Sequence, residues 1–272
     1  MSQQIVQDVY SFLTCRKGVD KEAVSSLAAT LAELIANRLT ENRKPSVSMS
    51  SIGKPSRRLW MDLHSYEEPT PQMRLKFLYG DIIEALLLWL VEQSGHTVER
   101  QQERVSVNGV SGSIDAVIDS KYLTDVKSCS SWSFLKFKNG TLPHDDPFGY
   151  LAQIGGYNQA LPDLKPIFLA MNKESGDVCT YEPDSDFELP CVEDVIDKAK
   201  QTASRDTMPI EPCYQPVELG KSGNMCLATG CKMCPHKFKC WKNLRAFKYA
   251  RGTEYLTKVV NEPKVEEIQN EK

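Results

Sequence analysis

The 272-residue chain lacks any apolar run long enough to cross a bilayer. Its longest, Ile82 to Val91, is interrupted by Glu84 and falls far short of the roughly 20 residues a membrane helix needs. It also lacks a basic-then-apolar leader: Met1 is followed by Ser-Gln-Gln, so the expectation is a chain that is not secreted. Internal repeats and low-complexity tracts are missing, which excludes solenoid and collagen-like architectures. Charge of one sign is not in excess either. Thirty-six acidic and 33 basic residues give a formal net charge of −3, which excludes an overall basic surface and leaves room for a local basic groove. One stretch does lack one sign altogether. Between Leu219 and Thr253 there is no Asp or Glu, while Lys221, Lys232, Lys237, Lys239, Lys242, Arg245, Lys248 and Arg251 are all basic.

What is present is ordinary for a folded domain: 41% hydrophobic and 25% charged residues, enough apolar material for a sizeable core. The nine cysteines are distributed unevenly. Cys15, Cys129, Cys179, Cys191 and Cys213 are scattered, whereas Cys226-x4-Cys231-x2-Cys234-Pro235-x4-Cys240 falls within fifteen residues. In a chain without a leader, that spacing reads as four thiolate metal ligands rather than disulfides. Zinc and iron–sulfur clusters both accept four thiolates.

Hydrophobic periodicity predicts helices near Ile5–Cys15 and Lys21–Leu39, the second carrying Leu27, Leu31, Leu34 and Ile35 on one stripe. Arg43 to Pro55 reads as a linker. A long helix is predicted over Gln72–Gln93, stopped by Gly95. Alternating segments Thr97–Val107, Gly112–Ile118 and Tyr122–Lys127 read as strands, and a helix over Tyr150–Ala160 follows Pro147. Pro166–Asn172 and Val178–Tyr181 read as two further strands, Val192–Ser204 as a helix, and Asn261–Lys272 as a frayed polar tail. The order implies an α/β or α+β fold with helical additions.

The hairpin is the most informative stretch. Asp125 and Lys127 are two apart on a strand and share a face. If the loop is Asp119-Ser120-Lys121, then 118 pairs with 122, 117 with 123, and Asp115 lies across from Asp125. Carboxylates that close repel unless a cation lies between them, and oxygen donors suit Mg²⁺ or Mn²⁺. A plain polar strand face is the competing reading of the same residues. On the following helix Gln153 and Tyr157 are neighbours at i and i+4. Gly155 and Gly156 there imply very close packing, although Gln and Tyr also suit an ordinary boundary face.

Gly112-Ser-Ile-Asp115, then Asp125-Val-Lys127, then Gln153-x3-Tyr157 resembles the PD-(D/E)xK nuclease superfamily, in particular its RecB-like branch, which includes phage-type and CRISPR-associated exonucleases. The resemblance spans roughly residues 48–245. It implies a restriction-endonuclease-like core, a mixed central sheet flanked by helices, preceded by a helical N-terminal extension (1–45). The nuclease domain with its Cys cluster then covers 46–250, and a polar tail 251–272. It implies that Asp115 and Asp125 hold Mg²⁺ or Mn²⁺ with the Val126 carbonyl as a further oxygen ligand, that Lys127 serves the attacking water, and that Gln153 and Tyr157 position DNA. Members often add an acidic ligand from the first core helix; Glu84 is the candidate, although Asp81, Glu84 and Glu92 also read as one solvated face. Arg57 and Arg58, before that helix, are candidate phosphate-binding residues, with a solvated turn as the alternative.

The resemblance also favours a 4Fe–4S cluster over Zn²⁺. Relatives take the first cluster ligand from upstream of the core, where this chain has Ser56, so Cys226 is expected as the local fourth ligand beside Cys231, Cys234 and Cys240, with Cys213 and Cys15 as outsiders. The function so implied is a metal-dependent deoxyribonuclease, an exonuclease rather than an endonuclease, acting on single-stranded DNA or duplex ends in replication, recombination or repair. It would work in the cytoplasm, or in a host's cytoplasm if phage-encoded. The rival is a non-catalytic nucleic-acid-binding protein with a zinc staple and a degenerate nuclease core.

Overall fold

A computed structural model describes residues 2–15, 18–41 and 44–268. In chain order the elements are α1 (Ser2–Thr14), α2 (Lys21–Thr40), α3 (Met49–Ile52), α4 (Ser56–His64), α5 (Pro71–Gln93), β1 (Val98–Glu99), β2 (Arg104–Val107), β3 (Val110–Ser113), β4 (Ala116–Ile118), β5 (Tyr122–Cys129), α6 (Ser131–Lys138), α7 (Tyr150–Ala160), β6 (Lys165–Asn172), β7 (Val178–Tyr181), α8 (Val192–Ala203), β8 (Val217–Glu218), β9 (Met225–Cys226), α9 (Thr229–Lys232), α10 (Lys237–Cys240), β10 (Arg245–Tyr249), β11 (Gly252–Lys258) and β12 (Glu267–Ile268). They form two compact units, one of residues 1–53 and 68–197 and one of residues 54–67 and 198–272. No helix among the described residues is long and apolar enough to cross a membrane.

The first unit is mixed α/β. Its sheet runs β1-β4-β5-β6-β7, with β5 and β6 parallel and the other neighbours antiparallel. A parallel pair needs a crossover, and α6 and α7 supply it. Both faces of the sheet are covered, so alternate strand residues serve two cores. Val126, Ile167 and Leu169 pack with Leu87, Leu88 and Val91 of α5 and with Ile5 and Val9 of α1. Cys129, Phe168 and Ala170 pack on the other face with Phe134, Phe137, Leu151 and Ile154 of α6 and α7. Leu27, Leu31, Leu34 and Ile35 of α2 are half-buried, and Trp89 of α5 donates to the Ala23 carbonyl of α2 at 3.1 Å.

Two expectations need correction here. The stretch read as a linker contains α3: Ser48 and Ser51 form a reciprocal cap, and Met49 and Ile52 are 0% and 4% exposed, so burial of two apolar side chains overrides the local Ser/Pro/Gly signal. Arg43 lies outside the described residues. The strand expected over Thr97–Val107 is two, because Arg100 and Gln102 adopt φ of 53° and 55°, a conformation no strand continues through. The second piece pairs with β3 as a separate two-stranded sheet about an Asn108-Gly109 turn with φ of 48° and 75°, the residues such a turn selects.

The second unit is built on an antiparallel sheet in the order β12-β10-β11-β9-β8. Phe247, Leu256 and Cys226 form one small core, and Leu227, Cys231 and Leu244 another. The expected polar tail is corrected as well: β11 pairs with β10 along its length, and β12 lies on the other side of β10. Leu256, fully buried, anchors the strand, and Arg245 bridges Glu262 and Glu267 at 2.6 and 2.7 Å. Residues 269–272 lie outside the described chain.

Two glycines of the first unit set its closest contacts. Gly149, the N-cap of α7 with φ +75°, abuts the Gly53 backbone so tightly that an added Cβ would lie 2.5 Å from it. At Gly156 the nearest atom to an added Cβ is the Met49 sulfur, at 2.6 Å. Backbone cannot yield and a thioether can, so Gly149→Ala should cost at least about 2–3 kcal/mol and Gly156→Ala distinctly less. Urea unfolding of both variants checks the order, and equal losses would contradict it.

Candidate functional site

In the first unit, the β4–β5 hairpin has the register its turn predicts: Ile118 faces Tyr122, Val117 faces Leu123 and Ala116 faces Thr124. Asp119 and Ser120 take φ of 54° and 50°, the twist a tight hairpin needs. β4 ends where β5 continues, so Asp115 precedes the strand opposite the position of Asp125. Its Oδ2 accepts the Val126 N–H at 2.7 Å. The N–H and C=O of one strand residue point to the same edge, so the Val126 carbonyl shares that edge with Asp115.

Asp125 is 1% exposed and ion-pairs with Lys127. The contact is made through Asp125 Oδ2, while Oδ1 faces α7. Burial pulls the Lys127 amine down, but the charges of Asp125 and Asp115 more than offset it and its pKa ends raised. Lys127 is therefore a cation at neutral pH. Burial raises Asp125, and the lysine counters part of that rise. Asp115 is raised by burial and then by the charges of Asp125 and Glu84.

Glu84 of α5 joins this group. Burial first, then Asp125, pushes its carboxyl up to about 7, and Gln102 Nε2 donates to Glu84 Oε1 at 2.7 Å. The acidic face of α5 is thus divided: Asp81 is held by Arg38 of α2 at 2.5 and 2.7 Å, whereas Glu84 belongs to the carboxylate group. Gln153 of α7 donates to Asp125 Oδ1 at 3.3 Å and to Tyr157 Oη at 3.4 Å. Tyr157 is 3% exposed, its hydroxyl pushed up to about 12 mainly by burial. Two residues with no motif in the sequence complete the surroundings. Gln102 is placed by its positive φ, and Tyr150 lies with its ring 4.8 Å from Lys127 Nζ. His144 is exposed.

The donor set is oxygen-rich and its carboxyls are destabilised by one another, which is the condition a hard divalent cation relieves. Among the described residues, no three His, Cys, Asp or Glu side chains converge as a ready-made metal site; Lys127 supplies the counter-charge instead.

In the second unit, Cys231, Cys234 and Cys240 come near Cys213. Burial, then the charges of Cys213, Cys234 and Cys240, pushes Cys231 up to about 11, and burial followed by Cys234 and Cys240 raises Cys213. Cys226 stands apart on β9, opposite Leu256, with Lys232 and Glu254 as its charged neighbours. Arg57 and Arg58 lie near the thiols, the Arg57 guanidinium acting on Cys240 and that of Arg58 on Cys234. Arg57 also donates to the Ile210 carbonyl at 2.6 Å while its Nε lacks a partner. Asp62 gathers Lys54, Arg58 and His236 at 2.9, 2.7 and 2.8 Å. Burial raises its carboxyl, but these three partners together hold it far below the usual range. The basic segment is partly matched from outside itself, Lys232 by Glu254 at 2.6 Å and Lys239 by Glu67 at 2.7 Å.

No protein-family model and no curated protein matches the chain. Solved structures with a similar course of chain include SSO0001, 16% identical over 79% of this chain and 94% of that one, with a TM-score of 0.44. An alkaline exonuclease, LHK-Exo from Laribacter hongkongensis, is 13% identical over 63% of this chain and 90% of that one, TM-score 0.39. Its complex with dAMP is 13% identical over 58% and 88%, TM-score 0.31. Likeness this loose carries no argument about activity.

The raised carboxyls have a consequence for stability. As pH climbs above about 4.5 the unfolded chain releases protons that folded Glu84 keeps until about 7, and Asp115 and Asp125 shift the same way. Their effect is therefore least harmful at low pH, and stability is lost as pH rises through that window. In EDTA the Tm should fall by several degrees between about pH 5 and 8, and Glu84→Gln should flatten the fall. A Tm that rises across the window would contradict this electrostatic account.

Proposed function

We propose that the chain is a divalent-metal-dependent deoxyribonuclease of the PD-(D/E)xK type, with a restriction-endonuclease-like core of the RecB-like branch, acting as an exonuclease on single strands or duplex ends. One observation carries the reading: Asp115 and Asp125 stand together at the open edge of β5 beneath a charged lysine, with Glu84 as a third carboxyl. Three mutually repelling acids gathered from α5 and the β4–β5 hairpin are costly to bury without a cation to hold them.

Asp115, Asp125, Glu84 and the Val126 carbonyl would hold Mg²⁺ or Mn²⁺. Bound there, the ion supplies charge neutralisation at the scissile phosphate and at the departing 3′ oxygen. Lys127, being protonated, serves as a donor that orients the attacking water for in-line displacement at phosphorus and stabilises the charge that develops there. Gln153 holds Asp125 in position and, with Tyr157, presents neutral hydrogen-bonding groups to the strand. Expulsion of the 3′ oxygen leaves a product with a 5′-phosphate. Asp125→Ala and Lys127→Ala should each lower Mg²⁺-dependent digestion of end-labelled DNA at least about hundredfold while DNA binding survives. Digestion persisting in both would remove the proposed active site, and absence of digestion by the wild type would favour a purely binding role.

For the second unit the proposal is a structural 4Fe–4S cluster, with Zn²⁺ as the alternative occupant, held by Cys213, Cys231, Cys234 and Cys240. Four soft thiols beside two guanidinium groups fit an anionic thiolate centre. Anaerobically purified protein should be brown and hold iron with acid-labile sulfide. Cys213→Ala should lose the iron and lower the Tm, since binding energy at such a site is folding energy, whereas Cys226→Ala should keep it. The opposite pattern would restore Cys226 as the fourth ligand, and zinc without sulfide would replace the cluster.

A further inference from the structure

Phe148 is 46% exposed, yet it is not on a loose loop. Its ring stacks on Tyr150, with centroids 5.4 Å apart and planes 27° from parallel. Tyr150 in turn lies against Phe137 and Phe168 of the core, at 6.1 and 6.4 Å. The backbone on either side of Phe148 is pinned. Asp146 accepts the Gly149 N–H and the Leu151 N–H, both at 2.9 Å, and Gly149 is locked against Gly53. The neighbouring acid, Asp145, is neutralised by Lys136 at 2.8 Å. The result is a rigid aromatic shelf with one face packed and the other presented to solvent.

Its place relative to the reacting groups gives the shelf a use. Lys127 Nζ stands 4.8 Å from the centroid of the Tyr150 ring, the same ring on which Phe148 stacks. Phe148 is therefore at most about 10 Å from the amine that serves the attacked phosphate, a separation within the span of one nucleotide. Every base has a π-face, and stacking on an aromatic side chain is tolerant of sequence. Inside a duplex both faces of a base are already covered, so a shelf of this kind takes a base that is unstacked, in a single strand or at a frayed end.

We propose that Phe148 is a stacking platform for the base of a nucleotide adjoining the scissile phosphate, and that it makes the site selective for single-stranded or frayed DNA. The proposal rests on the nuclease reading for its substrate and not for its geometry. Stacking on an aromatic side chain corresponds to roughly five- to hundredfold in affinity per base.

The test uses the full chain with Ca²⁺ in place of Mg²⁺ and fluorescein-labelled oligonucleotides, either intact or carrying one abasic nucleotide at successive positions from the end. Phe148→Ala should weaken binding of the intact single strand about tenfold, Phe148→Trp should restore it, and Phe148→Leu, which keeps apolar packing without a π-face, should not. With an abasic nucleotide at one particular position, wild type and Phe148→Ala should bind alike. Equal affinities of wild type and Phe148→Ala for the intact strand, full binding by Phe148→Leu, or a loss on Phe148→Ala that no abasic position removes would each overturn the platform. A wild type that cleaves DNA while Phe148→Ala binds normally removes the platform alone. Phe148-dependent binding without Mg²⁺- or Mn²⁺-dependent cleavage removes the nuclease reading alone, and a wild type that neither binds nor cleaves removes both.

Discussion

Repulsion between Asp115 and Asp125 is the constraint around which the first unit is organised. Side chains on a strand alternate, so slipping β5 by one residue would send Asp125 and Lys127 to the opposite core and bring Val126 to the carboxylate side. The fold blocks that slip twice. On one side, the Asp119-Ser120 turn fixes Ile118 opposite Tyr122. On the other, the parallel pairing with β6 runs unbroken from Tyr122 to Cys129. Lys127 then supplies a compensating charge from the same face.

Much of this was legible because it follows from periodicity. The three-residue loop set the register, and the Asp125/Lys127 and Gln153/Tyr157 spacings set shared faces. What was not legible depends on contacts between distant segments. Gln102 reaches Glu84 only because positive φ at positions 100 and 102 turns the chain. Nothing in Phe148-Gly149-Tyr150 announces a stack. Cys213 lies well upstream of the compact Cys226–Cys240 spacing, so counting residues favoured Cys226; in the fold Cys226 lies opposite Leu256 with Lys232 and Glu254, not the other thiols, as its charged neighbours. Strands β10 to β12 were hidden by their composition, since Arg245, Lys248, Glu254 and Glu267 give a polar stretch; Arg245 pairs with Glu267 across β10 and β12, and Glu254 with Lys232 of α9.

That pairing also changes how the acid-free segment reads. A run of eight basic residues implies an unbalanced patch only if acids from elsewhere stay away. Glu254 reaches Lys232, Glu67 reaches Lys239, and Glu262 and Glu267 reach Arg245. Arg57 and Arg58, candidates for phosphate, face thiols and Asp62. Acids of the second unit thus take up three of those eight basic residues, and the cation beside the proposed chemistry is Lys127.

The helix α7 shows how packing in the first unit is turned into a site. Glycines within a helix cost about 1 kcal/mol each relative to alanine, and α7 carries two, with a third as its N-cap. Each is where another part of the unit comes close: Gly149 meets the Gly53 backbone, Gly156 meets Met49 of α3, and Gly155 lies near Val192. A side chain at 149 would push the start of α7 away from the Gly53 backbone that ends α3. Gln153 lies between Gly149 and Gly156, and its bond to Asp125 is already a long 3.3 Å, so a shift of a few tenths of an ångström would break it. The helix gives up intrinsic stability at its glycines, and the close approach they permit keeps a neutral donor against a buried carboxylate that has few other partners.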